Sequence, residues 1–441
     1  MTQSSFEHRT LGEITPDLRA RLAELCSDPA SKSNQDSFTS AQRAVLIDIA
    51  SLQVKAKRTF GETSEGGEAW WVTRGGLQQS THHRVARLKA SWMGDRPVVD
   101  LCCGLGSDTI ALARRGITTG VDIDTDVLSF TQANLDVAEI TARLKQSDVE
   151  TAAIEELIGE AEGLHIDPDR RADGQRHTNA DDLVPSWDRV EALMGATRGG
   201  LIKLAPATKL SDEQSDSFHR TWIGTGGSVR EQTVLFGDVL QNDWVESNGM
   251  RAGGKSAITI RSGIAHVYTS AEDSEDRSQS AAITPAASPS ADMHSSNKGT
   301  GKRSDIVGQW IIDPDAAIPA AGLTESFARS IGARVIGAAS GFLTCDSIDA
   351  LQPWASLAMA ARVVEVVGCD DRKLRRCFRA RKAFPDLIKV RGHDLDPAHL
   401  SRKMQSCGDQ PLGLWIGRCG KRTYAAITEH ATFPGGACQG L

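Results

Sequence analysis

The run Asp100-Leu101-Cys102-Cys103-Gly104-Leu105-Gly106 is the strongest chemical signal in the chain. Gly104 and Gly106 let backbone approach a ligand closely where a turn enters a helix. Further along stand three more acids at the ends of short apolar segments: Asp122 in Gly120-Val121-Asp122-Ile123-Asp124, Asp148 in Lys145-Gln146-Ser147-Asp148, and Asp167 in Asp167-Pro168-Asp169-Arg170-Arg171. A lone Asp at a strand end is more often a helix cap than a ligand. Three in this order behind a glycine turn describe a cleft that accepts hydrogen bonds.

The sign of charge narrows the ligand. A dinucleotide fingerprint wants a third Gly where the helix meets the strand, and Thr109 stands there. No Gly-Lys-Ser/Thr follows the turn, which excludes a P-loop. A carboxylate facing a pyrophosphate is repulsive, whereas one facing the ammonium of a methionine moiety is attractive. S-adenosylmethionine is therefore favoured over NAD. Asp122 suits a ribose diol, with Ile123 beside it, and Asp124 suits the cap of the next helix. Asp148 could accept from an adenine amine.

These segments must be held by alternating strands and helices. Val98–Leu101, 117–123, 164–166 and 201–204 read as strands, with helices over 108–115 and 124–138 between them. Alternation of this kind predicts an α/β fold, a Rossmann-like parallel sheet. It stops late in the region: SVREQTVLFGDVL and SAITIRSGIAHVYTS read as strands without a helix between them, a closing antiparallel pair. Upstream, Thr15-Pro16 starts a helix and Ser40 to about Arg58 forms another, ended by Gly61. Trp70 to Thr73 reads as extended, and Thr81 as the cap of a helix through Trp92.

The division that follows is an N-terminal helical region over 1–92, a catalytic domain over 93–270, a linker over 271–305 and an α+β domain over 306–441. The linker is rich in Ser, Ala and small polar residues, too poor in apolar surface to offset the entropy of ordering it.

Residues 97–270 resemble a class I S-adenosylmethionine-dependent methyltransferase. The usual turn of that family is Asp-x-Gly-x-Gly-x-Gly, and Cys102 replaces its first Gly. The variant resembles the trimethylguanosine synthase branch, which methylates guanine amino groups. By that resemblance Asp100, Cys102, Gly104, Gly106, Asp122, Ile123 and Asp148 bind the cofactor. Trp71 and Thr81 fall in a segment that helps close the site, Thr81 towards substrate. In amino methyltransferases the substrate-facing run is Asp/Asn-Pro-Pro followed by an aromatic. Asp167 and Pro168 match it and Arg170 does not, although an Arg can stack on a base or pair with a phosphate. The resemblance implies that Asp167, Pro168 and Arg170 serve catalysis on a nucleobase amine. No Cys follows Asp167 until Cys345, which disfavours a Cys-dependent carbon-5 mechanism.

The whole arrangement is similar to bacterial class I methyltransferases with a C-terminal THUMP-like domain. Matching pieces are Leu77-Gln78-Gln79-Ser80-Thr81, the Asp167 run, Asp313-Pro314, Lys389-Val390-Arg391-Gly392 and Asp396-Pro397. True THUMP domains bind structured RNA, commonly tRNA. Charge agrees. The chain carries -7, but Ala360 to the end holds 15 Lys plus Arg against 8 Asp plus Glu, or +7, leaving -14 on the rest. A basic tail domain on an acidic body fits an RNA partner. Arg375, Arg376, Lys389 and Arg391 are its candidate contacts. Nine cysteines lack C-x-x-C or zinc-ligand spacing, so no metal is expected. The sequence shows neither a secretory signal nor a membrane-spanning run, and a cytoplasmic protein is expected.

Overall fold

The computed structural model describes residues 10–29, 31, 38–63, 68–169, 182–270, 307–338 and 340–431. Arg170, Arg171 and the expected linker lie outside the described residues. The chain divides into two compact units, one of residues 1–225 and 230–253 and one of residues 226–229 and 254–441. The stretch 254–270, read from sequence as the end of the catalytic domain, is counted in the second unit.

The first unit begins with helices α1 (Pro16–Ser27), α2 (Ser40–Ser51), α3 (Gln53–Phe60), α4 (Arg74–Gln79) and α5 (His83–Met93). Thr15 caps α1, accepting from Leu18 N, with Pro16 at the first helical position. The single helix expected over 40–58 is two, broken at Leu52, and Gly61 ends the second at φ +102°. The cap expected from Thr81 is supplied by His82, whose side chain accepts from Arg84 N. Trp71 is buried, its ring edge-on to Phe130 at 5.9 Å between centroids. Its backbone N–H donates to Asn134 Oδ1 and its carbonyl accepts from Asn134 Nδ2. Asn134 also donates to the Leu105 carbonyl, so one buried amide ties the N-terminal segment to the glycine turn.

The sheet follows the alternation read from sequence. In chain order the elements are β1 (Val98–Leu101), α6 (Ser107–Ala113), β2 (Thr118–Asp122), α7 (Thr125–Val137), β3 (Arg143–Gln146), α8 (Ile154–Ile158), β4 (Gly163–Ile166), α9 (Trp187–Gly195), β5 (Gly199–Leu204), α10 (Asp212–Asp216), β6 (His219–Thr225), β7 (Ser228–Gly237) and α11 (Asp243–Ser247). The spatial order is β3-β2-β1-β4-β5-β7-β6. The pairs among β1 to β5 are parallel, with Val98 opposite Thr118 and Gly163. β7 joins β5 antiparallel, with Lys203 opposite Thr233. β1, β4 and β5 are buried along their whole length, as expected of central strands covered on both faces. This is a Rossmann-like methyltransferase sheet. Its order reverses at β1/β4, the switch point where ligands of open α/β sheets bind beyond the strand C-termini.

The second unit holds the hairpin β8 (Lys255–Arg261) and β9 (Ile264–Thr269), then β10 (Trp310–Pro314), α12 (Ala317–Ala320), α13 (Thr324–Ser330), β11 (Arg334–Val335), β12 (Leu343–Cys345), β13 (Ala358–Gly368), α14 (Asp371–Ala380), β14 (Ala383–Val390), α15 (Pro397–Met404), β15 (Gln410–Cys419) and β16 (Arg422–Thr428). Seven of these strands form one sheet, β11-β12-β10-β13-β16-β15-β14. Leu374 and Phe378, one turn apart on α14, pack into an apolar cluster with Met404, Leu414 and Ile416. That leaves Arg372, Lys373, Arg376 and Arg379 of α14 exposed. Among the described residues no helix is long and apolar enough to cross a membrane.

Candidate cofactor and substrate cleft

The turn after β1 takes its shape from two glycines that face different things. Gly106 sits at φ +82°, and an added Cβ would stand 2.7 Å from Thr131 Cγ2. Gly104, at φ +55°, has open space where a Cβ would be. Gly106 is thus required by packing and Gly104 by the cleft. Cys102 adopts φ +59° although it is not glycine, a strained position of the kind that gathers at functional sites. Burial pushes the thiols of Cys102 and Cys103 well up, and neighbouring carboxylates, Asp122 and Asp100 among them, push the same way. Both shifts favour the neutral thiol over the nucleophilic thiolate.

A cleft of ≈ 240 Å³ opens at this turn. Its lining includes Gly76, Gln79 and Ser80 from α4 and the loop after it, Asp100, Cys102 to Leu105, Asp122, His165 and Asp167. Among the described residues six aspartates line it (100, 108, 122, 124, 167 and 169) and no Lys or Arg does. That balance favours a cationic ligand over a phosphate.

Asp122 ends β2 with its carboxylate held by backbone donors. Oδ2 accepts from Gly104 N at 3.0 Å and Oδ1 from Asp124 N at 3.1 Å. Each oxygen keeps capacity for another donor. Burial raises its pKa against those backbone bonds. Asp124 caps α7, accepting from Asp126 N and Val127 N, as its position implied. Ile123 is 61% exposed and is not among the lining residues.

Three expected residues sit differently. Asp148 engages both oxygens in its own turn, with Glu150 N and Thr151 Oγ1, and does not line the cleft. Thr81 is buried beneath the cleft rather than open to substrate, and its hydroxyl donates to Asp108 Oδ2 at 2.5 Å. Asp100, at the floor, already accepts from the Thr109 hydroxyl and lies 2.7 Å from His165 Nδ1. Its charge reaches the cleft through a protein hydrogen-bond shell.

Asp167 follows β4, its N–H donating to the Leu101 carbonyl. Pro168 is buried and Asp169 exposed. Lys203, near the end of β5, donates to Asp167 Oδ2 at 2.6 Å and to the Gln79 carbonyl at 2.8 Å. Burial alone would push Lys203 down, and the carboxylates of Asp167, Glu231 and Asp108 together outweigh it. For Asp167 burial wins and the pKa is raised, with Lys203 opposing. The two directions are compatible because Lys203 also faces Glu231 and Asp108, whereas Asp108 repels the ionised Asp167.

Lys89, fully buried on α5, holds the other half of the polar floor. It lies 2.9 Å from Asp108 Oδ1 and 2.9 Å from Glu231 Oε1. Its pKa is raised: burial opposes the charge and the two carboxylates outweigh burial. Sequence reasoning missed Lys89, His165, Lys203, Glu231 and the α4 contacts. The signal was present. Lys89 interrupts the buried stripe Val85, Ala86, Ala90, and Lys203 interrupts Leu201-Ile202-Lys203-Leu204. A Lys inside an apolar pattern is rarely buried without a partner.

In the second unit, Lys389 and Arg391 both form ion pairs with Asp313, the first at 3.1 Å. Arg391 also donates to the carbonyls of Pro314 and Ser340 and stacks over Phe342. These two expected RNA contacts are tied into their own unit. Arg375 is half-buried and Arg376 exposed on α14.

The fold is that of a Rossmann-like methyltransferase. No protein-family model matches the chain. Two curated proteins, each an uncharacterized S-adenosylmethionine-dependent methyltransferase from a strain of Mycobacterium tuberculosis, are 26% identical over 397 residues, covering 88% of this chain and 96% of theirs. A Porphyromonas gingivalis protein solved as a candidate methyltransferase shares the fold at a TM-score of 0.66 and 16% identity, over 94% of this chain and 98% of that one.

Proposed function

We propose that this chain is an S-adenosylmethionine-dependent methyltransferase that modifies a nucleobase amine in RNA, tRNA or rRNA. The observation that carries the cofactor is the pairing of an open cradle at Gly104 with an Asp122 carboxylate whose two oxygens each keep room for a hydroxyl donor. The curated relatives supply the same cofactor class in their names. When bound, the cofactor brings an already activated sulfonium methyl. The protein's residues then hold and orient. Asp122 accepts from the ribose diol, and the aspartate-lined wall suits the cofactor's cationic groups. Asp167 accepts from the target amine through the oxygen that Lys203 leaves open, and Lys203 favours its ionised state. Helix α4 and buried Pro168 keep water from the reacting atoms.

The RNA reading rests on the sequence resemblance and on the exposed cations of α14, and it assigns the second unit the THUMP-like, RNA-holding role in the cytoplasm. A second reading is favoured by one observation. Among the described residues the cleft is lined by aspartates without Lys or Arg, which repels phosphates and suits a protein or small-molecule amine. An RNA substrate must then extrude its base and keep its phosphates outside. Mass spectrometry of nucleosides from RNA with and without the protein tests the choice. A methylated nucleoside gained with the protein supports RNA. A labelled product that survives RNase supports the second reading.

A further inference from the structure

The buried floor of the cleft contains a histidine whose protonation state the geometry determines. His165 Nε2 lies 3.2 Å from Lys89 Nζ, and its Nδ1 lies 2.7 Å from Asp100 Oδ1. An ammonium has three donors and no acceptor. Lys89 directs its other two hydrogens to Asp108 and Glu231. The third must therefore meet a lone pair, so Nε2 carries no proton. Nδ1 then carries the imidazole's single proton and donates it to Asp100.

We propose that Lys89 is a positioning residue that fixes His165 as the Nδ1–H tautomer, so that the imidazole donates to Asp100 and brings no positive charge to the floor of the cofactor cleft. This rests on the cofactor reading above. In a His–Asp pair alone the carboxylate holds the imidazole as the Nδ1–H tautomer and leaves Nε2 open to a proton. Here a lysine occupies the position from which the second proton would arrive. Around His165 stand Asp100 on β1, Lys89 on α5, Asp108 on α6 and Glu231 on β7, with the Lys203–Asp167 pair beyond them. Asp108 Oδ1 is itself 3.8 Å from Nε2, ready to hold a proton there if Lys89 were absent. Four carboxylates against two ammonium groups leave two uncompensated negative charges at the floor of the cleft. A sulfonium gains from that field and a neutral thioether does not. The arrangement thus favours S-adenosylmethionine over the demethylated product S-adenosylhomocysteine, which promotes product release.

Calorimetric affinities for these two compounds, measured from pH 6 to 8.5, need no knowledge of the substrate. The wild type is expected to prefer the sulfonium compound by a ratio that stays flat with pH. In Lys89→Met/Glu231→Gln, which keeps the wild-type charge count but leaves Nε2 open to a second proton, the preference should shrink roughly three- to tenfold at the acid end, as expected for a unit charge neutralised several ångströms away in a partly desolvated site. In Lys89→Met alone the lost cation adds one negative charge that a second proton on His165 would only offset, so its ratio should exceed the wild type's at the alkaline end and fall towards it at the acid end. Nitrogen-15 spectra of the wild type, assigned against His165→Asn, read the tautomer directly. A protonated Nε2 at neutral pH, or a flat and unchanged ratio in the folded variant, would overturn the proposal. Failure of the wild type to bind either compound would instead overturn the cofactor reading.

Discussion

Lys203 Nζ stands 2.6 Å from Asp167 Oδ2 and 2.8 Å from the carbonyl of Gln79, joining the end of β5, the loop after β4 and helix α4 at one nitrogen. The contact makes Asp167 an acceptor with one oxygen committed and one available. It also opposes the burial that raises the Asp167 pKa.

Removing that ammonium should expose the burial effect. In Lys203→Met the Asp167 pKa rises further, so the acid limb of the kcat profile moves to higher pH. Activity near neutral pH is expected to drop roughly 10²-fold with a smaller change in KM, as for loss of a group that acts on the reacting amine. Rates of labelled methyl transfer to total RNA across pH measure both. An unshifted limb would show that Lys203 only supports the fold.

The two glycines should separate stability from binding. Gly106→Ala places a Cβ against Thr131 at φ +82°, and a loss of a few kcal/mol in urea unfolding is expected. Gly104→Ala meets no protein atom, so its stability cost is about 1 kcal/mol, the strain of a positive φ. On the proposed cofactor reading its methyl group stands in the cofactor's space. Affinity for S-adenosylmethionine should fall at least tenfold while the unfolding midpoint changes little.

His219 gives a pH dependence of stability unconnected with catalysis. It is fully buried, with Nδ1 3.0 Å from the Arg251 carbonyl oxygen, and burial lowers its pKa to about 4. The folded value lies below the unfolded one near 6.5. The stabilisation is therefore present above pH 6.5 and is lost as pH falls from there to about 4, by up to about 3 kcal/mol. Thermal midpoints measured over that window should fall, and fall less steeply in His219→Gln. Equal slopes would remove His219 from the account.

The basic residues of the second unit should divide by exposure. Arg376→Glu on α14 is expected to weaken RNA binding and to lower its salt dependence by about one phosphate contact. Lys389→Ala, which breaks an ion pair with Asp313, should alter RNA binding little. Binding measured at several salt concentrations distinguishes them. Equal losses would return Lys389 to the contact surface.

Much of this was readable before any coordinates. The strand–turn–helix of Asp100 to Ala113, Asp122 at the end of its strand and Asp124 as a cap all follow from local rules, because glycine conformations and caps depend on neighbours in sequence. The polar floor does not. Lys89, Asp108, His165, Lys203 and Glu231 come from five elements, and only the sheet order brings them together. Thr81 was misplaced for the same reason: it has the chemistry of a ligand contact, but Asp108 takes its hydroxyl, whereas Asp148 simply lies outside the cleft lining. Lys389 and Arg391 show that charge count does not reveal which cations are already paired. The β6 strand was missed because His219-Arg220-Thr221 interrupts its apolar pattern, and those polar groups find partners only in the fold.

Isothermal titration of the full chain with S-adenosylmethionine tests the central claim most directly. The account predicts one site per chain in the wild type and at least a tenfold weaker site in Asp122→Ala, which loses the acceptors for the ribose diol. No binding by the wild type, or the same affinity in Asp122→Ala, would contradict it.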